Sequence, residues 1–349
     1  MNNSSYLNES HHTLQNVEYE FYIPILVSIC ILSVFGNVLN LTVISRRPSL
    51  RDTKNILLIS LNIIDLCIGG IALPCLIITS LHQYGYSLCQ ASGFIITYFN
   101  GVSLLMSAAI TIDRCIAVVN PYVYLANLSI WRYTFLIICA YVISIPLAVL
   151  PLLPLSSYGF GRYRLRNLCW LPLSANWENY IILVSLAIGT DAVIITIFCC
   201  YLIIFYVAYN KSNSQINGLG SIKKSVRTTF LIVGTNVLCW LPLAATTTTT
   251  TFMLIIYDRQ CEVNRYMEVI ILMLAYCNAA MNPYIYAMTN EILKNEYKSL
   301  IMSVMGKIAN ICRHRSRTNH LTRKESFNLI VSHIDVILRL DNIRSEGKF

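Results

Sequence analysis

Charged residues are scarce in this chain of 349 residues. Asp, Glu, Lys and Arg make up only 12% of it, whereas hydrophobic residues make up 56%. Soluble domains carry roughly 25% charged residues, so this composition argues against an ordinary soluble domain. Acidic residues are scarcer than basic ones, 17 against 26. The resulting charge of +9 follows from membrane topology, as shown below, and does not indicate a nucleic-acid partner.

Several features of transporters, channels and enzymes are also missing. The sequence has no internal repeat of the transporter kind and no row of charges that would line a pore. It has no spacing of metal ligands or of a nucleophile and its base, so an enzyme is the least favoured class. Its polar first 20 residues predict that no signal peptide is cleaved. A transporter or channel stays open as an alternative.

Long apolar runs dominate the sequence instead. About 20 apolar residues cross the core of a bilayer, and seven runs reach that length. Because backbone groups in lipid must bond internally, each run is predicted to be a helix. The fold class is therefore an all-α membrane protein, a seven-transmembrane-helix bundle over residues 21–288. The runs cover residues 21–44, 56–79, 91–119, 133–153, 180–209, 228–257 and 269–288.

The segments outside this bundle differ from it in composition. Residues 1–20 are predicted to form an extracellular tail, and residues 304–349 a basic cytoplasmic tail. Residues 289–303 place apolar side chains at helical spacing with lysines on the other face. This pattern predicts an amphipathic helix on the membrane surface. Glycosylation sequons begin at Asn2, Asn3 and Asn8.

The basic residues predict the orientation. With the N-terminus outside, 21 of the 26 lysines and arginines lie on the cytoplasmic side, as the positive-inside rule requires. The chain is therefore predicted to be a multi-pass protein of the plasma membrane. Cys89, Cys169 and Cys261 then lie in the oxidising space outside. The sequence leaves open whether Cys261 is paired and whether Cys312 in the tail is palmitoylated.

An acid and a base, Asp113 and Arg114, interrupt the third apolar run. Charges within a membrane span are costly and usually functional. From Cys89 to Arg114 there are 25 residues, which is roughly 37 Å of helix. Arg114 is therefore predicted to lie at the cytoplasmic mouth, where water reaches it. Asn100, Ser103 and Arg114 share one helical face, which is predicted to point into the bundle.

Five short motifs together resemble the rhodopsin-like (class A) family of G-protein-coupled receptors over residues 20–303. They are GNVLN in the first span, LNIIDL in the second, DRC in the third, CWLP in the sixth and NPYIY in the seventh. The resemblance implies a receptor that binds an extracellular ligand within the bundle and activates heterotrimeric G proteins at its cytoplasmic face. It also implies that arrestin and receptor kinases are partners of the tail and that the receptor lies within the lipid bilayer.

The resemblance further implies roles for individual residues. Cys89 and Cys169 stand where the family has its outer disulfide. No cofactor is implied other than an allosteric sodium ion, for which a cluster of hydrogen bonds and water is the alternative. The sodium donors would be Asp65, Ser103, Asn278 and Asn282. The activation switch and the contact with the G protein are implied at Asp113, Arg114, Pro121, Tyr122, Tyr201, Trp240, Pro242, Asn282, Pro283 and Tyr286.

The implied ligand pocket opens outward between the third, fifth, sixth and seventh spans. Ile96 stands where monoamine receptors carry Asp, and Tyr276 stands where opsins carry the lysine that binds retinal. Both ligand classes are therefore disfavoured. Asp191 is expected either to meet a cationic ligand or to bond to a neighbouring span. The predicted lining is Ile96, Thr97, Asn100, Asp191, Leu243, Ala244, Thr247 and Tyr276.

Two further stretches allow more than one interpretation. Six threonines at 246–251 line a cavity, or they bond back to their own helix. Arg162, Arg164 and Arg166 attract an anionic or peptide ligand, or they form a solvated basic loop.

Some residues depart from the family pattern. Tyr141, Val193 and Asn236 stand where the family usually has Trp, Pro and Phe. Ile222 replaces the acid that often pairs with the arginine of the third span, which predicts raised basal activity. These departures keep open a seven-helix binding receptor that does not couple to G proteins.

Overall fold

A computed structural model of the chain describes residues 3–82, 86–213, 219–289 and 293–299, with short pieces at 302–303 and 305–306. Within these ranges, no side chain is described at residues 3–20 or 211–233. The sequons at Asn2, Asn3 and Asn8, the side chain of Ile222, Cys312 and the end of the tail lie outside what is described.

Seven of the described helices are long and apolar enough to cross a membrane, which confirms the predicted fold class. The ends agree closely with the predicted runs, because the length of an apolar run fixes the length of a span. The spans are Phe21–Arg46, Ile56–Leu81, Tyr86–Val119, Ile130–Leu152, Tyr180–Val207, Gly234–Tyr257 and Arg265–Met288.

The helices are numbered in chain order. The second span consists of α2 and α3, which a wider π-helical turn, Ile68–Ala72, joins. The helix α4 packs against α2, α6 and α7, and α9 closes the bundle against α1 and α8. The bounds are α1 Asn3–Arg46, α2 Ile56–Cys67, α3 Leu73–His82, α4 Tyr86–Val119, α5 Pro121–Ala126, α6 Ile130–Val149, α7 Tyr180–Asn213, α8 Leu219–Tyr257 and α9 Arg265–Thr289.

A short β-hairpin covers one end of the bundle. Its strands β1, Arg164–Leu165, and β2, Cys169–Trp170, run antiparallel. The chain reaches the hairpin through Gly159 and Gly161, whose φ angles of 87° and 66° lie in the left-handed region that favours glycine. We call this end the hairpin end, and the opposite end, which carries Arg114, the arginine end.

The first and last spans approach each other closely at a glycine. A Cβ atom at Gly36 would lie 2.6 Å from Cγ of Pro283. No larger side chain fits there without moving the α9 backbone, which explains why glycine stands in the GNVLN motif. The contact holds α1 against the NPYIY segment.

The residues after α9 include a helix at 293–299. Leu293 and Tyr297 are buried, whereas Lys294 and Lys298 are exposed. One face of this helix is buried and the other is exposed, as the sequence predicts for the amphipathic segment 289–303.

Candidate functional site

Two tyrosines hold the carboxylate of Asp113 at the arginine end. The Tyr133 hydroxyl donates to Oδ1 at 2.8 Å, and the Tyr124 hydroxyl donates to Oδ2 at 3.1 Å. The two hydroxyl oxygens are 3.3 Å apart. Burial raises the pKa of Tyr124, so its hydroxyl stays protonated and donates. Asp113 is buried and Arg114 is half-buried.

Asp113 was predicted from the sequence, whereas the two tyrosines were not. Tyr124 lies in α5, which begins at Pro121, a residue whose fixed φ suits a first helical position. Tyr133 lies in the first turn of α6. The helices α5 and α6 thus bring the two tyrosine hydroxyls together beside Asp113 of α4. The only sequence signal was the presence of two tyrosines 11 and 20 residues after Asp113.

The predicted contact residues of α5 are exposed. Pro121 is exposed, and Tyr122 exposes 88% of its surface at the arginine end. Tyr201 and Tyr286 are partly buried against the core of the bundle. The structure thus places Pro121 and Tyr122 where a partner can reach them, and Tyr201 and Tyr286 inside.

The predicted inward face of α4 is buried. Asn100, Ser103, Ser107 and Ile110 each expose 4% or less of their surface. Because these residues recur every three to four positions, they form one continuous stripe along the helix. The stripe runs from the hairpin end down to Arg114, as the spacing predicts.

A polar cluster around Asp65 occupies the middle of the bundle. Ser103 Oγ donates to Asp65 Oδ1 at 2.7 Å, and Asn282 Nδ2 donates to Oδ2 at 2.8 Å. Ser33 Oγ donates to the main-chain oxygen of Asp65 at 2.8 Å. Two helices, α4 and α9, therefore donate to one fully buried carboxylate, and α1 bonds to the main chain of the same residue. The structure brings together three of the four predicted sodium donors by direct hydrogen bonds.

The fourth predicted donor, Asn278, has unused bonding capacity. It exposes 1% of its surface, and neither atom of its amide has a hydrogen-bond partner within the described part of the chain. The same holds for the indole nitrogen of Trp240. A buried polar group without a partner is costly, so such atoms indicate room for water or an ion. One carboxylate with hydroxyl and amide oxygens is a donor set that fits a hard cation such as sodium.

Seven of the eight predicted pocket residues are buried at the hairpin end of the bundle. Trp170 of the hairpin packs against one of them, Tyr276, in an edge-on contact with the ring centroids 6.3 Å apart. Trp170 was not among the predicted pocket residues, although it follows the disulfide cysteine directly. The buried residues are Ile96, Thr97, Asn100, Leu243, Ala244, Thr247 and Tyr276.

Asp191 lies apart from the buried pocket residues. Its Oδ2 accepts a hydrogen bond of 2.7 Å from Thr248 Oγ1, and Thr248 is exposed on the surface of α8. Asp191 itself is half-buried. Of the two predicted possibilities, the structure shows the bond to a neighbouring span.

Four of the six threonines at 246–251, which lie in α8, bond back to their own helix. Thr246, Thr247, Thr250 and Thr251 each donate to the carbonyl four residues earlier, at 2.6 to 2.9 Å. These bonds satisfy the hydroxyls locally, so the helix tolerates the repeat. The second interpretation of the run is therefore the one that the structure supports.

The disulfide predicted between Cys89 and Cys169 is present. It joins the start of α4 to β2 across a Cα–Cα distance of 5.3 Å. Hydrogen bonds fix the hairpin further, because Gln90 Nε2 donates to the Tyr163 carbonyl at 2.6 Å and the Tyr163 hydroxyl donates to the Ala148 carbonyl at 2.9 Å. The hairpin is thus attached to both α4 and α6.

An ion pair connects the hairpin segment to α9. Arg166 Nη1 lies 3.3 Å from Glu268 Oε2, and Glu268 Oε1 accepts a bond of 2.9 Å from the Leu173 amide. Glu268 is buried, with 5% of its surface exposed. Glu268 was not among the residues predicted from the sequence. A lone acid at the start of a span, opposite a loop with three arginines, was the signal that pointed to it.

Comparisons with known proteins agree with this geometry. A family model described as "7 transmembrane receptor (rhodopsin family)" matches residues 36–286. Adenosine receptor A3 of Ovis aries is 24% identical over 293 residues, which cover 79% of this chain and 87% of that receptor. Histamine H2 receptor of Homo sapiens is 27% identical over 317 residues, 86% of this chain and 82% of that receptor.

A third similar protein is named for a different kind of ligand. Tachykinin-like peptides receptor 86C of Drosophila melanogaster is 25% identical over 320 residues, which cover 85% of this chain and 61% of that receptor. These relatives therefore agree on the architecture and differ in the ligands that their names state.

Proposed function

Because the chain belongs to the rhodopsin family of seven-transmembrane receptors, we propose that it binds its ligand between the helices at the hairpin end and activates a heterotrimeric G protein at the arginine end. It is a multi-pass membrane protein and a G-protein-coupled receptor, not an enzyme. The single observation that carries the proposal is the buried polar stripe of α4, which links the two ends.

The orientation that we propose places the hairpin end outside the plasma membrane, with the N-terminus. The distribution of basic residues supports this orientation. The exposed Pro121 and Tyr122 then face the cytoplasm, where the G protein binds. Arrestin and receptor kinases are proposed as further partners on the same side.

The activation step that we propose is a shift between two packings of the bundle. A ligand that binds one packing more tightly changes the populations of both. At the arginine end, the hydrogen bonds from Tyr124 and Tyr133 restrain Asp113. Asp113 in turn restrains the segment of α4 that carries Arg114. Separation of the helices around Arg114 then opens the site for the G protein.

The ligand is proposed to be uncharged where it contacts the buried pocket. The seven buried lining residues carry hydroxyl, amide and apolar groups but no charge. Burial of an unpaired charge against them would be costly. The departure at Ile96 supports the same conclusion.

A sodium ion is proposed as an allosteric ligand of the Asp65 cluster. When bound, it would be held by Asp65, Ser103, Asn278 and Asn282 and would supply a positive charge opposite the buried carboxylate. It would favour the packing in which these helices stay together, because the donors come from the second, third and seventh spans.

Removal of the guanidinium of Arg114 tests the proposed function. Purified receptor in lipid nanodiscs is mixed with each class of G protein, and nucleotide exchange is measured without ligand and with panels of nucleosides, amines and peptides. The wild type is expected to accelerate exchange on at least one class. Arg114→Ala is expected to lower this rate by roughly tenfold or more, which is the effect of losing a charged contact.

The matched control is Arg46→Ala, which removes an exposed arginine from the same end of the bundle. Equal exchange rates for Arg114→Ala and wild type would contradict the proposal. So would the absence of any exchange in the wild type across all G-protein classes, and flux of a solute through the protein in liposomes would then favour a transporter.

Loss of the Tyr133 hydroxyl is expected to raise basal activity. Tyr133→Phe removes one of the two tyrosine donors to Asp113 and keeps the ring. A hydrogen bond to a charged group contributes about 1.5 kcal/mol or more, so basal nucleotide exchange is expected to rise roughly tenfold. Tyr141→Phe, on the same helix, is the control. Unchanged or lower basal exchange in Tyr133→Phe would show that the tyrosines do not restrain the switch.

A further inference from the structure

A cleft opens at the hairpin end, outside the buried pocket. It lies between the hairpin and the first turns of α9, and the space inside it that a water-sized sphere can occupy is about 10 Å3, so only its open mouth admits a larger group. The polar side chains that line it include three arginines and one acid, while apolar side chains fill the rest of the wall. These polar residues are Arg164, Arg166, Asn167, Trp170, Arg265 and Glu268.

The lining of the cleft carries an excess of positive charge. Three arginines stand against one carboxylate, which leaves a charge of +2 from 3 − 1. Arg164 also pairs with Glu178 at 2.7 Å, but both side chains are more than half exposed, so solvent screens that pair. A cleft with walls of low dielectric focuses such an excess and attracts anions.

Glu268 acts as a fixed counter-ion inside the cleft. Its side chain is 7% exposed, whereas the side chain of its partner Arg166 is 34% exposed. The Leu173 amide holds the other carboxylate oxygen. The guanidinium therefore reaches solvent while the carboxylate does not, and a second carboxylate can approach Arg166 from the mouth. Arg265 is exposed at the same mouth, one turn before Glu268.

The cleft also leads toward the buried pocket. Trp170 lines the cleft and contacts Tyr276 of the pocket edge-on. The indole nitrogen of Trp170 and the hydroxyl of Tyr276 are buried, and neither has a hydrogen-bond partner among the residues that the structure describes. Two unused donors beside a cationic cleft fit a ligand that carries acceptor oxygens.

We propose that the mouth of this cleft binds an oxyanion, a carboxylate or phosphate group of the receptor's ligand, through Arg166 and Arg265. The anion joins Glu268 at Arg166 on the solvent side of the guanidinium, and Glu268 keeps its bonds to Arg166 and to the Leu173 amide. Arg166, which ties the hairpin segment to α9, is thereby shared between Glu268 and the ligand. This inference deepens the proposed function and rests on it, because it assumes that the receptor has a ligand that binds at the hairpin end.

The test measures anion binding to the purified full-length receptor in nanodiscs. Melting is followed by tryptophan fluorescence while benzoate or inorganic phosphate replaces chloride, with sodium concentration and ionic strength constant. The wild type is expected to show a saturable rise in Tm with at least one probe. A rise with benzoate alone assigns a carboxylate, and a rise with phosphate alone assigns a phosphate.

Three variants separate the cleft from general charge effects. Arg265→Gln is expected to need roughly tenfold more probe, as for the loss of one charged contact. Glu268→Gln keeps an acceptor oxygen for Leu173 but removes the competing charge, so roughly tenfold less probe is expected. Arg259→Gln removes an exposed arginine from the same end, outside the cleft, and is expected to match the wild type.

The inference is overturned if neither probe shifts Tm relative to chloride, or if Arg265→Gln responds like Arg259→Gln. An unchanged response in Glu268→Gln overturns the sharing of Arg166 between Glu268 and the anion. Because no G protein is present, the result is independent of coupling. Anion binding without nucleotide exchange contradicts only the proposed function, and exchange without anion binding contradicts only the cleft.

Discussion

Receptor carrying Cys169→Ser is expected to lose most of its folded fraction. The Cys89–Cys169 disulfide closes a chain separation of 80 residues, and closure of a loop of this length stabilises a protein by about 4 kcal/mol in the chain-entropy model. Helices that stay inserted in the membrane limit the unfolded chain, so about 2 kcal/mol is expected here. The hairpin would also lose its covalent attachment to α4.

The measurement is fluorescence-detected size exclusion of the tagged receptor from membranes, together with its Tm. Cys261→Ser is the matched control, because Cys261 lies at the same end and is unpaired among the described cysteines. We expect a sharp monomeric peak from Cys261→Ser and a small, broad one from Cys169→Ser. Equal peaks and equal Tm values would show that the disulfide does not stabilise the hairpin end.

Receptor carrying Asp65→Asn is expected to lose its response to sodium entirely. The substitution keeps the shape of the side chain, and Ser103 can still donate to its oxygen while Asn282 turns its amide to accept from its nitrogen, but it removes the one carboxylate in the cluster. A cation needs that charge to offset the loss of its hydration shell. At ten times its Kd, a bound ion stabilises the folded state by about 1.4 kcal/mol, and this amount would vanish.

The experiment compares Tm in sodium chloride and in choline chloride at equal ionic strength. Wild type is expected to melt a few degrees higher in sodium, with saturation as the concentration rises. Asp65→Asn is expected to melt at the same temperature in both salts. Asp258→Asn, which removes an exposed acid at the hairpin end, serves as control. A sodium shift of the same size in Asp65→Asn would place the ion elsewhere or rule it out.

The seven spans were predictable from the sequence because a single physical requirement determines them. A helix must be apolar for the thickness of the bilayer, and this requirement leaves long runs that are visible without any tertiary information. The inward face of α4 was predictable for a related reason, since polar residues in a span avoid lipid. Asn100 and Ser103 are buried as the spacing predicts.

Partners between distant elements were not predictable in the same way. Tyr124 and Tyr133 follow Asp113 by 11 and 20 residues, and their meeting depends on how α5 and α6 turn. Glu268 meets Arg166 across 102 residues. The environment of Asp191 was not predictable either. Its helix, α7, is apolar nearly all round, so the sequence pattern does not reveal which face is buried.

The attachments of the hairpin have a consequence for the rate at which a ligand leaves. The hairpin is joined to α1 by the Tyr22–Asn167 bond, to α4 by the disulfide, to α6 through Tyr163 and to α9 through Glu268. Lifting it requires several of these attachments to break together, which is a slow local opening. A ligand in the proposed pocket beside Trp170 would therefore have a residence time set by the receptor's own loop, even where its contacts are few.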